Sequence, residues 1–425
     1  MQMKINEYRD ETLGESVFTA KHSSGLEIRI MPKDNMDSVY ALFSVNYGSI
    51  DTSVQEKDGS FRDIPEGTAH FLEHKLFESE ELDAFQLFER TGAYANAYTS
   101  FDRTAYLFKG SSNIEESLGY LLDFVQNPYF TAETVKKEQG IIGQEIIMYK
   151  DLPDWEVMFN LLCLLYPEHP VHIDIAGTQE SIAQIDDKLL YELYEEFYNP
   201  SNMCLTIVGK VDKDKIFKQI EKSIIRKKKT VPERKFDPKT PRSKQKYIEE
   251  HLSVARTQFL LGIREELTKP VLSIDDEVAS SILLDILFGK NSEFYNKAVE
   301  EGLTTRDFGA SLFNGYGYSA YFIGGPSSEP KKFSDMIKKE IERAKKEGIK
   351  EEDFERVKRS YYGECVSNYD NIGAMANGLA SLYFTGCKPF DDYNAIKKVT
   401  LARVTKRLKG ISTKDAALSV ISPLE

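Results

Sequence analysis

The first part of the chain shows two hydrophobic periods. Segment 26–32 places Leu26, Ile28 and Ile30 on one face at a period of two, and segment 38–50 repeats the pattern, so both are predicted strands. Further strands are predicted at 93–100, 103–108 and 203–208. Apolar residues at helical spacing predict helices at 68–77, 82–90, 114–125, 131–148, 155–166, 189–198 and 213–225. The mixture of strands and helices predicts an α+β fold.

A charged stretch interrupts this periodicity in the middle of the chain. Segment 226–246 begins with the basic run Arg-Lys-Lys-Lys and contains three prolines, which is typical of a solvated linker. We therefore predict one domain at 1–225, the linker at 226–246 and a second domain at 247–425.

The predicted helix 68–77 contains a compact group of metal-binding side chains. His70 and His74 are one helical turn apart, so both imidazoles face one side and can hold one ion. Glu73 lies beside that face, close enough to take a proton from a metal-bound water. The order His-x-x-Glu-His is the one found in inverzincin peptidases. The alternative is a helix whose two histidines face water or the core.

A pair of glutamates offers a third ligand. Glu138 and Glu145 are seven residues apart in the predicted helix 131–148 and therefore share a face. One carboxylate can bind the metal as the third ligand, while the other forms a hydrogen bond to a histidine ligand. The spacing alone does not show which glutamate has which role. A pair of solvated glutamates is the alternative. His169 and His172, three residues apart, could bind metal, but next to prolines and with no third ligand nearby they are interpreted as parts of an ordinary loop.

The predicted strand 93–100 alternates small residues with larger ones. Small side chains at Ala95 and Ala97 would allow another backbone to approach an exposed edge, as the addition of a peptide strand requires. The alternative is a plain edge strand.

The second half repeats part of this order. Segment 280–288 aligns with segment 69–77 at an offset of 211 residues. The residues at the positions of the two histidines and the glutamate are then Ser281, Leu284 and Asp285. This predicts a duplicated fold in which only the first copy has a metal site.

Charge and composition limit the partners. A net charge of -13 over 425 residues argues against binding to nucleic acid or to an anionic membrane. The first ten residues lack an apolar signal core, and no apolar run approaches the roughly 18 residues of a membrane span. The four cysteines lie far apart, which favours reduced thiols. We expect a cytoplasmic protein that binds neither nucleic acid nor membrane.

Together, these motifs resemble the pitrilysin and mitochondrial processing peptidase family of zinc peptidases, and in particular its half-length bacterial members. The resemblance covers nearly the whole chain. It rests on segments 67–74 and 96–100, on the seven-spaced glutamates, and on His169-Pro170 followed by Gly177-Thr178. It implies two structurally similar α/β/α layer domains, each with a mixed, mostly antiparallel sheet, of which only the first binds metal.

The resemblance also implies a role for each residue of the metal group. It makes His70, His74 and Glu145 the ligands of a Zn²⁺ cofactor. It makes Glu138 the carboxylate that supports the site from outside. Glu73 then activates the zinc-bound water, whose pKa zinc lowers from about 15.7 to about 7.

In the substrate region the resemblance is incomplete. It implies that Asn96, between Ala95 and Ala97, holds the substrate backbone. Family members carry an arginine and a tyrosine in the second half that help to bind the substrate and the oxyanion, whereas this chain has Ala298 and Thr305 at those places.

Either nearby groups such as Arg306 replace the missing pair, or the pair comes from another chain. The leading prediction is a zinc metalloendopeptidase for short or unfolded peptides. Alternatively, the chain is a peptide-binding or scaffolding subunit that is weakly active alone and needs a partner with the arginine and tyrosine. A zinc hydrolase of non-peptide bonds would have no use for the edge strand. We expect a homodimer, or a heterodimer with a related family member.

Overall fold

The computed structural model describes residues 3–56, 58–80, 83–234, 236–237 and 240–424. The described residues form two compact units, and each unit has its own main sheet, with a separate two-stranded sheet in the first unit. The first unit comprises the segments Met1–Ile146, Asp174–Arg234 and Val366–Phe390. The second comprises the segments Ile147–Ile173, Lys235–Cys365 and Asp391–Glu425. Within the described chain, no helix is both long enough and apolar enough to cross a membrane.

The strands of the described residues are, in chain order, β1 (Ile5–Asp10), β2 (Glu15–Lys21), β3 (Glu27–Pro32), β4 (Val39–Val45), β5 (Ser53–Gln55), β6 (Phe61–Asp63), β7 (Tyr94–Thr99), β8 (Thr104–Gly110), β9 (Met203–Gly209), β10 (Tyr247–Leu252), β11 (Gln258–Arg264), β12 (Gly309–Gly315), β13 (Tyr318–Pro326) and β14 (Ala417–Pro423).

The helices are α1 (Thr68–Leu76), α2 (Ala84–Thr91), α3 (Ile114–Phe124), α4 (Ala132–Lys150), α5 (Pro153–Leu165), α6 (Gln179–Ile182), α7 (Asp187–Phe197), α8 (Lys213–Ser223), α9 (Ile274–Phe288), α10 (Glu293–Glu300), α11 (Pro330–Glu347), α12 (Glu351–Asn368), α13 (Ile372–Phe384), α14 (Asp391–Lys398) and α15 (Leu401–Gly410). Short 3₁₀ turns lie at Pro170–His172, Pro200–Asn202 and Thr413–Asp415.

The sheet of the first unit has the strand order β1-β2-β3-β9-β4-β8-β7. Only β3 and β9 pair in parallel, and the other neighbours are antiparallel. Consecutive residues of β7 reach helices on opposite faces: the Tyr98 hydroxyl donates to Asn377 of α13 (2.5 Å), and Thr99 Oγ1 lies 3.2 Å from Glu73 of α1. The sheet is therefore covered by helices on both faces.

The sheet of the second unit has the order β10-β14-β11-β13-β12, with only β10 and β14 parallel. Helix α9 lies against the edge strand β12, as α1 lies against the edge strand β7 in the first unit. The predicted α+β fold is confirmed, with two sheet-containing units whose sheets are mixed and mostly antiparallel.

Two helices belong to one unit although the chain on both sides of them belongs to the other unit. Helix α5 covers β11 and β14 of the second unit, and α13 covers β4 and β9 of the first. Each is apolar: α5 buries residues such as Leu161 and Leu162, and α13 buries Ala376 and Ala380. An apolar helix of this kind must pack on an apolar sheet surface, but its own sequence does not indicate which of the two sheets that is. The predicted domains 1–225 and 247–425 are each continuous in sequence, whereas the two units exchange these two helices. The boundary after Arg234 lies inside the predicted linker 226–246.

Local signals account for the ends of α2. Asp83 accepts a hydrogen bond from the backbone N–H of Phe85, and Gly92 ends the helix with a φ of 72°. The predicted end at Gly92 is confirmed, whereas the predicted start at Leu82 lies outside the described residues.

Candidate metal centre

Helix α1 carries both histidines of the motif on one side. It follows Gly67, whose φ of 82° is a left-handed conformation that suits glycine. The ring centroids of His70 and His74 are 4.5 Å apart, and His70 is only 7% exposed. The fold therefore brings the two imidazoles together.

Helix α4 places Glu145 opposite both rings. One carboxylate oxygen lies 3.8 Å from Nε2 of His70, and the other lies 3.5 Å from Nε2 of His74. In a tetrahedral zinc site with bonds of about 2.0–2.1 Å, the ligand atoms are about 3.3 Å apart. The three side chains are thus close to the spacing that one zinc ion requires.

Glu138 occupies a different place, two turns earlier on α4. Its Oε1 lies 2.9 Å from Nδ1 of His74, and its side chain is buried. A histidine that donates its Nδ1–H to a carboxylate is fixed in the tautomer that offers Nε2 to a metal. The geometry thus distinguishes the two glutamates, which sequence spacing could not do.

Glu73 also lies close to the two rings. The ligand atoms of His70, Glu73 and His74 lie within 4.8 Å of one another, and no other such group of histidine, cysteine, aspartate or glutamate occurs among the described residues. Distance alone therefore permits Glu73 as a ligand. Its Oε2, however, accepts a hydrogen bond from Thr99 (3.2 Å), whereas Glu145 faces Nε2 of both histidines.

Sequence reasoning did not single out Thr99 as a partner of Glu73. A signal was available, because Thr99 alternates with Ala95 and Ala97 and so must share their face of β7. The missing information was that this face is turned toward α1.

Burial controls the protonation of this group. Burial, with a smaller contribution from His74, lowers the pKa of His70 to about 3. Burial also raises the pKa of Glu73 to about 7, against the opposing effects of His74 and Thr99. Burial lowers the pKa of His74, but the hydrogen bond to Glu138 and the surrounding carboxylates outweigh it and leave this pKa above its usual value.

The residues present fit a zinc ion. They supply two imidazole nitrogens and a carboxylate, a donor set typical of zinc. His70 is neutral at ordinary pH, as a ligand must be. Its Nδ1 is buried and has no hydrogen-bond partner among the described residues, so His74 alone has a supporting carboxylate.

Strand β7 is an edge of the first sheet. Ala95 is buried, Asn96 is exposed and Ala97 is half-buried. The Asn96 side-chain oxygen accepts the backbone N–H of Ala97 (2.9 Å), which orients the amide. The three predicted substrate-contacting residues thus lie on an edge strand next to the metal group.

The second unit has no counterpart of the arginine and tyrosine pair at the expected positions. Ala298 is fully buried, so a long cationic side chain would have no room there. Thr305 bonds through its hydroxyl to Asp307 (3.2 Å). Arg306 is exposed.

His169 and His172 have structural partners. Nδ1 of His169 accepts the backbone N–H of Val171 (3.1 Å), and its Nε2 lies 3.1 Å from the carbonyl oxygen of Tyr316. Nδ1 of His172 lies 2.8 Å from the carbonyl oxygen of His169. Burial lowers the pKa of His169 to about 4, so the ring is neutral and donates to Tyr316. Hydrogen bonds to the backbone therefore occupy three of the four ring nitrogens.

Comparison with known proteins identifies the family. The profile described as "Insulinase (Peptidase family M16)" matches residues 51–179, and the profile "Peptidase M16 inactive domain" matches residues 184–361. The chain is 40% identical over 404 residues to the protein named "Uncharacterized zinc protease YmfH" of Bacillus subtilis, and the match covers 93% of each chain. The chain belongs to peptidase family M16.

Solved structures agree with this assignment. The fold matches an M16-like peptidase from Alicyclobacillus acidocaldarius with a TM-score of 0.88 and 32% identity, over 100% of this chain and 99% of that one. It also matches pitrilysin with a TM-score of 0.77 and 13% identity, over 100% of this chain but only 47% of that one. The chain thus corresponds in fold to one half of pitrilysin.

Proposed function

We propose that this protein is a zinc-dependent endopeptidase that acts on short or unfolded peptides. The observation that carries the proposal is the convergence of Nε2 of His70 and Nε2 of His74 on Glu145. His70, His74 and Glu145 are the proposed zinc ligands, and Glu138 orients His74. The name of the Bacillus relative, a zinc protease, supports the same metal and reaction.

Glu73 is the proposed catalytic residue. Zinc bound at this site would lower the pKa of a water molecule toward about 7 and would polarise a substrate carbonyl. Glu73 takes the proton from the attacking water and gives it to the leaving amine. Burial raises its pKa to about 7 in the metal-free protein, and a zinc ion nearby would lower this pKa toward the ionised form that accepts the proton. Thr99 holds the carboxylate in place.

The proposed substrate is an extended peptide that pairs with β7. Main-chain hydrogen bonds give affinity with little dependence on sequence, and the small side chains of Ala95 and Ala97 allow a close approach. Asn96, held by its oxygen, would use its amide N–H₂ group to donate to a peptide carbonyl. A folded substrate would have to open before it could pair in this way.

Replacing Asn96 with alanine tests this substrate mode. We expect kcat/KM for an unstructured peptide to fall about 2- to 10-fold, mainly through KM, because one neutral hydrogen bond to the substrate is lost. Steady-state kinetics on a fluorogenic peptide measure this, with Asn127→Ala, another exposed asparagine, as the control. Wild-type kinetics in Asn96→Ala would show that Asn96 does not bind the substrate.

Variants of the two glutamates of α4 test the ligand assignment. Glu138→Gln should weaken zinc binding by about 10- to 100-fold, the usual cost of losing a group that supports a ligand. Glu145→Gln should weaken it more, because a ligand itself is lost. Competition with a chromophoric chelator measures both affinities. Glu133→Gln, exposed on the first turn of α4, should bind as the wild type does. A larger loss in Glu138→Gln than in Glu145→Gln would reverse the assignment.

A dimer is the proposed working form. The chain corresponds to half of pitrilysin, and Ala298 and Thr305 provide no arginine and tyrosine. The absence of the arginine and tyrosine favours the alternative function, a peptide-binding subunit that is weakly active until a related family member joins it. We also propose a cytoplasmic location, which the four cysteines, far apart in the sequence, support.

Incubation with a library of unstructured peptides tests the proposed function as a whole. We expect cleavage that a zinc chelator stops and that added zinc restores, either by the chain alone or after addition of a family member. Binding of peptides without cleavage under every one of these conditions would support the peptide-binding subunit instead. Cleavage that persists after metal removal would contradict the zinc mechanism.

A further inference from the structure

The segment before helix α1 is held by a distant part of the chain. Segment 176–185, which contains the short helix α6, reaches the residues that precede the motif. The Ser181 hydroxyl lies 2.9 Å from the carbonyl oxygen of Glu66, a hydrogen-bond distance. Backbone also meets backbone here: a Cβ added to Gly67 would lie 2.3 Å from the carbonyl oxygen of Ala176. The start of α1 is therefore fixed against segment 176–185.

The left-handed conformation of Gly177 completes this contact. Its φ is 75°, and a Cβ at this position would lie 2.6 Å from the carbonyl oxygen of Glu66. Gly67 and Gly177 therefore face each other, and only residues without a side chain allow this approach. The contact lies at the N-terminal end of the helix that carries His70 and His74.

The same segment also bonds to helix α4. The side-chain amide of Gln179 donates to the carbonyl oxygen of Gly143 (3.3 Å), and that of Gln139 donates to the carbonyl oxygen of Ile185 (3.0 Å). Gly143 lies two residues before Glu145, and Gln139 directly follows Glu138. Segment 176–185 is thus attached to both helices that carry the metal group.

A groove separates part of α4 from this segment. A groove of about 330 Å³ lies between them, lined in part by Gly140, Gly143, Gln139 and Gln179. The two glycines present bare backbone on this side of α4. The amide hydrogen bonds of Gln179 and Gln139 join α4 to segment 176–185 beside this groove.

We propose that segment 176–185 is a positioning element that sets the spacing between the imidazoles of α1 and the carboxylates of α4. Gln179 and Ser181 are its positioning residues, since they act on the zinc site only through these two helices. The inference rests on the proposed ligand set of His70, His74 and Glu145. It assigns a role to Gly177-Thr178 and the residues that follow, for which the sequence suggested none.

The test compares Gln179→Glu with Gln184→Glu. The two changes add the same charge at exposed positions of the same segment, but among the described residues the Gln184 amide bonds only to the carbonyl oxygen of Glu180, within the segment. Gln179→Glu keeps the side-chain shape and removes the donor to Gly143. We expect zinc affinity to fall about threefold to tenfold in Gln179→Glu, the range that one lost hydrogen bond costs, and less than twofold in Gln184→Glu.

Cobalt substitution gives a second readout that does not depend on activity. The visible absorption of Co²⁺ reports the geometry of its ligands, so Gln179→Glu should shift or broaden the bands while Gln184→Glu should not. Adding Ser181→Ala to Gln179→Glu should bring the loss of zinc affinity above tenfold. Ser181→Ala alone is less informative, because Ser181 also accepts the backbone N–H of Thr178 and so caps α6.

Two results would overturn the proposal. Equal zinc affinities and equal cobalt spectra for Gln179→Glu and Gln184→Glu would show that the segment does not position the ligands. A loss of thermal stability in metal-free Gln179→Glu with unchanged zinc affinity would assign it a purely structural role. His70→Ala in the same titration tests the proposed ligand set by itself. If this variant bound zinc like the wild type, the ligand set would be wrong.

Discussion

Glu73→Gln is expected to abolish peptide hydrolysis while the chain still binds one zinc ion. A carboxylate oxygen of Glu73 lies within 4.8 Å of one ring nitrogen of each histidine, but Glu145 is the carboxylate that faces Nε2 of both. Glutamine has nearly the same shape, so the packing around position 73 should persist, yet it cannot accept the proton of the attacking water. Loss of a general acid and base lowers the rate by about 10²–10⁴-fold.

Zinc stoichiometry and the cleavage rate, measured on the same preparation, test this prediction. Glu133→Gln controls for the loss of one glutamate charge at an exposed position of α4. Thr99→Val, which removes the hydroxyl but keeps the shape, should lower kcat less than Glu73→Gln and leave zinc bound. A Glu73→Gln protein that lost its zinc would show Glu73 to be a ligand. One that cleaved at the wild-type rate would eliminate Glu73 as the catalytic residue.

Addition of a family member that carries the arginine and tyrosine is expected to raise the cleavage rate by at least about 10²-fold. Each donor to a developing oxyanion commonly contributes about 10²–10³-fold to kcat. This chain cannot supply the arginine at position 298, because the alanine there is fully buried. At position 305 it has a threonine that bonds to Asp307. Under the proposed dimer, another chain supplies the missing donors.

The partner experiment has controls on both chains. In the partner, alanine at the arginine or at the tyrosine should remove most of the gain. In this chain, Arg306→Ala should have little effect on the activated pair, because Arg306 is not needed when the partner provides both groups. Full activity of the purified chain alone, unchanged by the partner and lost in Arg306→Ala, would contradict the heterodimer and identify a local substitute.

The parts of the fold that depend on short-range pattern could be predicted from the sequence. His70 and His74 form a pair wherever residues 68–77 are helical, because a spacing of four residues fixes their relation. The alternation correctly predicted β3 and β4 as strands, but both are buried on both faces, which a period of two did not indicate. The sequence also indicated that the second unit repeats the order of the first, and α9 does lie against the edge strand β12.

Features that depend on long-range contacts could not be predicted from the local sequence pattern. Glu138 and Glu145 share a face of α4, and only the position of α1 shows which one reaches the Nε2 atoms. Helix α13 is apolar, but nothing in its sequence names the sheet of the first unit as its partner. The hydrogen bond from Gln179 to Gly143 joins residues 36 positions apart, and no local sequence pattern predicts it.

Diffraction from crystals of the zinc-loaded protein, measured above and below the zinc absorption edge, tests the central claim most directly. We predict one strong anomalous peak per chain, bounded by Nε2 of His70, Nε2 of His74 and the carboxylate of Glu145. Glu138 should lie outside the peak, against Nδ1 of His74. A peak bounded by Glu138 instead of Glu145, a peak at His169 and His172, or no peak at all would contradict the account.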